Sequence, residues 1–361
     1  MNNADIFGIV DINYLNIYNF YMAKKITLQD IADEVGVSPT TVSQALANKG
    51  RVSSKTIELV RKASEKLGYT RNHDNSVKTV GLLFSIEQNW AYLWVFIRVF
   101  IEKLEKALNR YGINLVIVPI HEEKSAEELL TQLYAISAKA LVTLHLEDED
   151  LLKLLSSNGI PILVVMNNKY QDRYLSVCND DFQGAYDAVK YLIDNGHRRI
   201  AYLGTEHPAT AVMGNDRFIG ARKAIEDEGL TLQDDFIVRF NNYSDSTELE
   251  QGLNRLLGLE RRPTALYCIH DYLAEKVYSL LIRKGYAIPD DISIITAGDS
   301  FDYSQFEVPQ ITTMRSQTEQ MGIVAADMLN RLINYGDTSQ FNMGIKIRQQ
   351  LVNRGSCSTV Q

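Results

Sequence analysis

Residues 27–67, TLQDIADEVGVSPTTVSQALANKGRVSSKTIELVRKASEKL, read as two short helices joined by a glycine-containing turn and followed by a third. Thr27 is placed to N-cap the first helix, in which Leu28, Ile31, Ala32 and Val35 recur at helical spacing and form one apolar stripe. Gly36 supplies the left-handed exit, and Val37 tucks under the turn. Ser38 caps the second helix, with Pro39 at the first helical position, where a missing N–H costs nothing. There Val42, Ala45 and Leu46 face inward, leaving Thr40, Thr41, Ser43 and Gln44 outside. Such short polar side chains can approach a groove floor and bond phosphates or base edges. Ser53 or Ser54 caps the third helix, which buries Ile57, Val60, Ala63, Ser64 and Leu67 and carries Lys55, Arg61, Lys62 and Lys66 on its other face. The pattern is that of a helix-turn-helix, which places one helix in the major groove of DNA.

A generic three-helix bundle would show the same stripes, but charge partition separates the two readings. Residues 24–72 hold nine Lys or Arg and five acids, a net of +4, while the whole chain carries −8. The remainder therefore carries −12, by subtraction of the same counts. A basic head on an acidic body fits a phosphate-binding module attached to something else.

At 361 residues, 45% hydrophobic and 23% charged, the chain is long enough for two or three domains with sizeable cores. The longest apolar stretch, residues 92–101, is interrupted by Arg98 and is far short of a bilayer span, so no membrane partner is expected. Residues 1–21 contain Asp5 and Asp11 and no basic residue, unlike a secretory signal. The expectation is an extension over residues 1–23, with translation beginning at Met22. Cys178, Cys268 and Cys357 are widely separated and odd in number, which suits a reducing cytoplasm. The histidines and cysteines lack metal-ligand spacing, and no cofactor is expected.

From Val80 onward, short apolar runs alternate with amphipathic helices, the mark of parallel sheets with right-handed crossovers. One half runs through VGLLFSI, INLVIVPI, ALVTLHL and PILVVM; a second begins after YLSVCND and runs through RIAYLG, FIVRF, ALYCI and ISIIT. The fold class expected is α/β, a three-helix head plus a body of two Rossmann-like subdomains. Ligands in open α/β sheets sit beyond the carboxyl ends of the strands, so the cleft between the halves is the default site.

The run T-L-x-D-I-A-x-x-x-G-V-S-x-x-T-V-S-x-A-L, with R-V-S-x-K-T and L-G-Y after it, resembles the head of LacI/GalR-family bacterial transcriptional regulators. The resemblance continues through GHRRIAYLG, the Arg217 to Gly220 motif, RPTAL, IPDDIS and TTMRSQTEQMG, which match that family's periplasmic-binding-protein-like effector core in order. It implies that Pro39, Thr40 and Gln44 read bases, and that Ser38, Thr41, Ser43, Arg51, Ser53 and Thr56, with the capping Thr27, hold the backbone. Gln44 stands where the family often has Arg; Gln prefers adenine and Arg guanine, so a different operator is implied. The resemblance also implies a cytoplasmic homodimer, repression of double-stranded operator DNA, and a small polar effector such as a sugar.

By this reading residues 24–72 are the head, 73–79 a linker, 80–354 the effector domain and 355–361 a tail. Subdomain one takes about 80–179 and 310–335; subdomain two takes about 180–309 and 336–354. Candidate effector residues are Arg217, a fork of donors after RIAYLG, and Asp271, which follows ALYCI and His270. Asp299 follows ISIIT, Asp180 lies with Asp181 at a crossover, and Tyr243, Trp90 and Trp94 are aromatics that could wall a pocket. The linker lacks the family's Ala-Arg-x-Leu hinge wedge, which implies either weaker bending of the operator or coupling that travels by repositioning the heads alone. Two alternatives stand beside this reading. One is a regulator that has lost its small-molecule response. The other is an enzyme in the double body, which no GxGxxG, P-loop or GxSxG supports.

Overall fold

The structure, a computed structural model, describes residues 27–46, 52–67, 78–85, 94–120, 125–144, 146, 148–167, 169–171, 173–205, 211–240, 247–301, 303–305, 308–335 and 343–360. The N-terminal extension, Arg51, the linker up to residue 77, Trp90 and Tyr243 lie outside these residues, as does the side chain of Trp94. The chain divides into two compact units, Met1–Ser76 and Val77–Gln361.

The first unit contains α1 (Leu28–Val35), α2 (Pro39–Leu46) and α3 (Ser54–Leu67). A capping box opens α1: the Asp30 amide donates to Thr27 Oγ1 at 3.3 Å, and the Thr27 amide donates to Asp30 Oδ2 at 2.7 Å. Gly36 closes it at φ 73°, its amide donating to Ala32 O, a conformation that favours glycine. Ile31, Ala32, Val42, Ala45, Val60 and Ala63 make the small core, with Leu28, Val35, Ile57 and Leu67 packed around it.

The second unit contains two sheets, one parallel and one parallel except for its antiparallel edge strand. The first is built from β1 (Lys78–Ser85), α4 (Trp94–Asn109), β2 (Ile113–Ile120), α5 (Ala126–Ala135), β3 (Ala138–Leu144), α6 (Glu149–Ser157), β4 (Ile162–Val165) and β5 (Leu175–Asn179). The second follows with α7 (Asp181–Asp194), β6 (Ile200–Thr205), α8 (Ala211–Asp227), β7 (Ile237–Phe240), α9 (Thr247–Leu257), β8 (Ala265–Cys268), α10 (Asp271–Arg283), β9 (Ser293–Gly298) and β10 (Thr312–Arg315). The chain ends in α11 (Thr318–Tyr335), β11 (Gly344–Ile347) and β12 (Gln350–Val352).

Strand order is β11-β5-β4-β3-β1-β2 in one sheet and β12-β10-β9-β8-β6-β7 in the other. The two orders are the same within each half, so each half reverses direction once, between β1 and β3 and between β6 and β8. Central strands such as ILVV of β4 and ALYC of β8 are buried along their length, as sheets covered on both faces require. In the first half, Phe100, Leu104, Leu108, Met321 and Leu329 pack on one face, and Leu129, Leu133, Leu152, Leu155 and Tyr170 on the other.

Hydrogen bonding corrects several sequence-based boundaries. Residues 310–315 were expected with the first half, yet β10 pairs with β9 in the second sheet. The final run was expected wholly in the second half. Instead it divides: β11 pairs with β5 and β12 with β10. The tail is also part of the second half, since the Ile294 amide donates to Ser356 O at 2.9 Å and the Val360 amide to Asn195 O at 2.8 Å. Finally, α8 begins at Ala211, and Tyr202 Oη donating to Gly214 O at 3.2 Å ties its first turn to β6.

The Arg217 to Gly220 motif has a packing explanation for its glycine. A Cβ on Gly220 would lie 2.1 Å from the Phe182 carbonyl oxygen, because α7 and α8 touch there through backbone. At Gly214 the nearest atom would be 3.6 Å away. Gly220→Ala should therefore cost about 3 kcal/mol in denaturant unfolding, while Gly214→Ala is neutral or stabilising.

Candidate functional site

In the head, α2 buries Val42 and Ala45 and leaves Thr40 and Gln44, one turn apart, exposed on its other side. Pro39, Thr41 and Ser43 are half-buried beside them. Ser38 Oγ accepts from the Thr41 amide at 3.1 Å, and Ser53 Oγ accepts from the Thr56 amide at 3.1 Å, so both serines cap a helix N-terminus. Such termini present amide donors and a positive dipole end to anions. Lys55, Arg61 and Lys62 are exposed on α3, and Lys66 pairs with Glu34 at 2.8 Å.

In the body, the sequence-selected residues divide into separate arrangements. Arg217 lies in the second turn of α8, the helix that follows β6, and is 3% exposed. Its Nε and Nη2 donate to Asp181 Oδ1 at 2.9 and 2.7 Å, and its Nη1 donates to the Ile269 carbonyl just past β8. The guanidinium thus sits at the β6/β8 switch point and reaches across to the first residue of α7. Burial pushes the Asp181 carboxyl up, and the Arg217 charge pulls it back. Asp180 does something else: it caps α7, accepting from the Gln183 amide at 3.3 Å. Sequence reasoning selected Asp180 as the candidate of this acidic pair, whereas its neighbour meets the arginine.

Asp271 opens α10 and is buried at the same switch point. The Ser300 amide donates to its Oδ2 at 2.6 Å, and the Thr313 hydroxyl lies 3.4 Å from Oδ1. Burial raises its pKa to about 6, against the pull of the Ser300 amide and with a further push from Asp299. Gly298 makes this approach possible, because a Cβ there would stand 2.6 Å from Asp271 Oδ2. Asp299 is held by Arg315 and, at 2.6 Å, by Arg354, whose guanidinium stacks 3.6 Å from the Tyr303 ring centroid. Gln349, which donates to Asp181 Oδ1 at 3.0 Å, Arg354 and Ser300 were not among the sequence-selected residues; they come from crossovers and loops, where no periodicity marks them. Among the described residues no group of three or more His, Cys, Asp or Glu could hold a metal ion, and no helix is long and apolar enough to cross a membrane.

His270 caps α10, its Nδ1 accepting from the Leu273 amide at 3.1 Å. Burial, and then the charge of Arg217, lowers its pKa to about 3. The folded state therefore keeps it neutral, while the unfolded chain binds a proton below its ordinary value of about 6.5. Its contribution is present above that value and is lost as pH falls. Asn retains a cap acceptor without titrating. Between pH 7 and pH 5, wild type should lose about 2 kcal/mol more unfolding free energy than His270→Asn, measured by denaturant titration at both values.

Residues 27–72 match the family described as bacterial regulatory proteins, lacI family, and residues 189–357 match the periplasmic binding protein-like domain. The HTH-type transcriptional repressor PurR of Mannheimia succiniciproducens is 28% identical over 348 residues, covering 92% of this chain and 99% of that protein. The HTH-type transcriptional regulator RegA of Clostridium saccharobutylicum is 27% identical over 343 residues, covering 91% of this chain and 98% of that protein. Among solved structures, a LacI transcriptional regulator from a Rhodococcus species superposes with TM-score 0.64 at 26% identity, over 78% of this chain and 99% of that one. The Lac repressor dimer bound to operator and the anti-inducer ONPF shares the fold, with TM-score 0.63 at 22% identity over 93% and 100% of the two chains. These relatives are regulators rather than enzymes, and PurR, RegA and the Lac repressor each align over more than nine-tenths of this chain. The chain therefore joins a lacI-family helix-turn-helix head to a periplasmic binding protein-like body, the combination of the transcriptional regulators it resembles.

Proposed function

We propose that two copies of the chain read a palindromic operator in the cytoplasm and that a small polar effector, such as a sugar, bound in the cleft of each body adjusts that grip. One trihelical head contacts few base pairs, and pairing two heads on two half-sites is the usual route to useful affinity. The observation that carries the DNA half is the division of α2 into a buried side and an outer side bearing Thr40 and Gln44. In this reading Pro39, Thr40 and Gln44 meet base edges. Ser38, Thr41, Ser43, Ser53 and Thr56, with Thr27 and Arg51, meet the sugar-phosphate backbone. Support for the effector half is the concentration of Arg217, Asp181 and Asp271 at the switch point of the second sheet.

Selection of bound duplexes from a random pool should enrich a palindrome, and Gln44→Ala should weaken its binding by about 1–3 kcal/mol while sparing random DNA. Lys55→Ala should weaken both alike and flatten the salt dependence. No preference for any duplex over random competitor would overturn the reading. A panel of sugars, nucleosides and nucleobases added to the selected operator complex tests the effector half: at least one should shift operator affinity, and Arg217→Gln should abolish the shift.

A further inference from the structure

Asp181 stands apart from the other acids of the body. Every donor that reaches its side chain from the described residues meets one oxygen: Arg217 Nε at 2.9 Å, Arg217 Nη2 at 2.7 Å and Gln349 Nε2 at 3.0 Å all converge on Oδ1, and Oδ2 takes none of them. The side chain of Arg217 is 4% exposed and that of Asp181 13%, so the carboxylate is the more accessible member of the pair. Gln349 reaches it because α7 has Gly184 beneath: a Cβ at that position would lie 2.5 Å from Gln349 Oε1. Asp216 adds a second negative charge that acts on Asp181. Around the same strand ends, Arg315 and Arg354 both face Asp299, and Asp271 takes donors that carry no charge. Each of these three guanidinium groups already meets a carboxylate of the chain itself.

Resting on the effector reading above, we propose that Asp181 sets the charge of what the cleft accepts. It serves Arg217 as an internal counter-ion. The cleft then takes a ligand that donates a hydroxyl or N–H to Asp181 Oδ2, and turns away one that would bring a carboxylate or phosphate to Arg217. Such an anion would have to displace Asp181, leaving a largely buried carboxylate beside it without its cation. Selectivity of this kind works by repulsion of the wrong ligand as much as by attraction of the right one.

The test uses the full chain and inorganic phosphate as the anion probe, with chloride holding ionic strength constant. Wild type and Asp181→Glu should show no saturable rise in melting temperature with phosphate. Asp181→Asn should gain one of a few degrees, and adding Arg217→Gln should remove it. An Asp181→Asn chain that folds only when phosphate is present gives the same support. Saturable phosphate binding by wild type would overturn the proposal. So would an Asp181→Asn chain that gains none, or one that phosphate fails to rescue. A gain in Asp181→Asn with no operator response to any uncharged ligand would strike the effector reading alone.

Discussion

Ile347 and Gln350 are separated by two residues, yet one pairs with β5 and the other belongs to the strand that pairs with β10. That short step is one of three places where the described chain passes between the sheets; the others are β5 to α7 and β10 to α11. Because the segments are so short, they cannot move independently. The Asp180 amide donates to Ile347 O at 2.9 Å, and Gln349 donates to Asp181, so two of the passages are bonded to each other. Any change in the angle between the halves must be absorbed there. Arg217 ties the same place to the end of β8.

The electrostatics of the second half follow from that geometry. Buried charges are costly unless paired and hydrogen-bonded, and breaking such a pair costs more than the pair contributes. Arg217 meets Asp181 at Oδ1, Asp299 is met from two sides, and Asp271 relies on an amide and hydroxyls. Burial raises both Asp181, despite its arginine, and Asp271, the latter to about 6. His270, one residue earlier, is driven the opposite way by the same burial. Adjacent groups on one turn thus have opposite responses to acid.

Much of this was legible beforehand, because hydrophobic periodicity and caps are local. Thr27, Gly36, Ser38 and Ser53 announce the head, and runs such as INLVIVPI coincide with a strand from end to end. What escaped is nonlocal. Nothing in TTMR or GIKI states which sheet will accept its hydrogen bonds, and the allocation of both was reversed. Asp180 and Asp181 are indistinguishable by composition; only the helix start separates the cap from the partner of Arg217.

The closing residues run along the floor of the second sheet. Ser356 bonds both Ile294 and Thr312, the Ser358 amide donates to Ser293 Oγ, and the Val360 carbonyl fills the space a side chain on Gly196 would need. The C-terminal segment is therefore masonry rather than a handle. A fluorescent or affinity fusion joined directly after Val360 would lever against the foundation of the ligand-bearing lobe, so a reporter of operator occupancy belongs behind a flexible spacer.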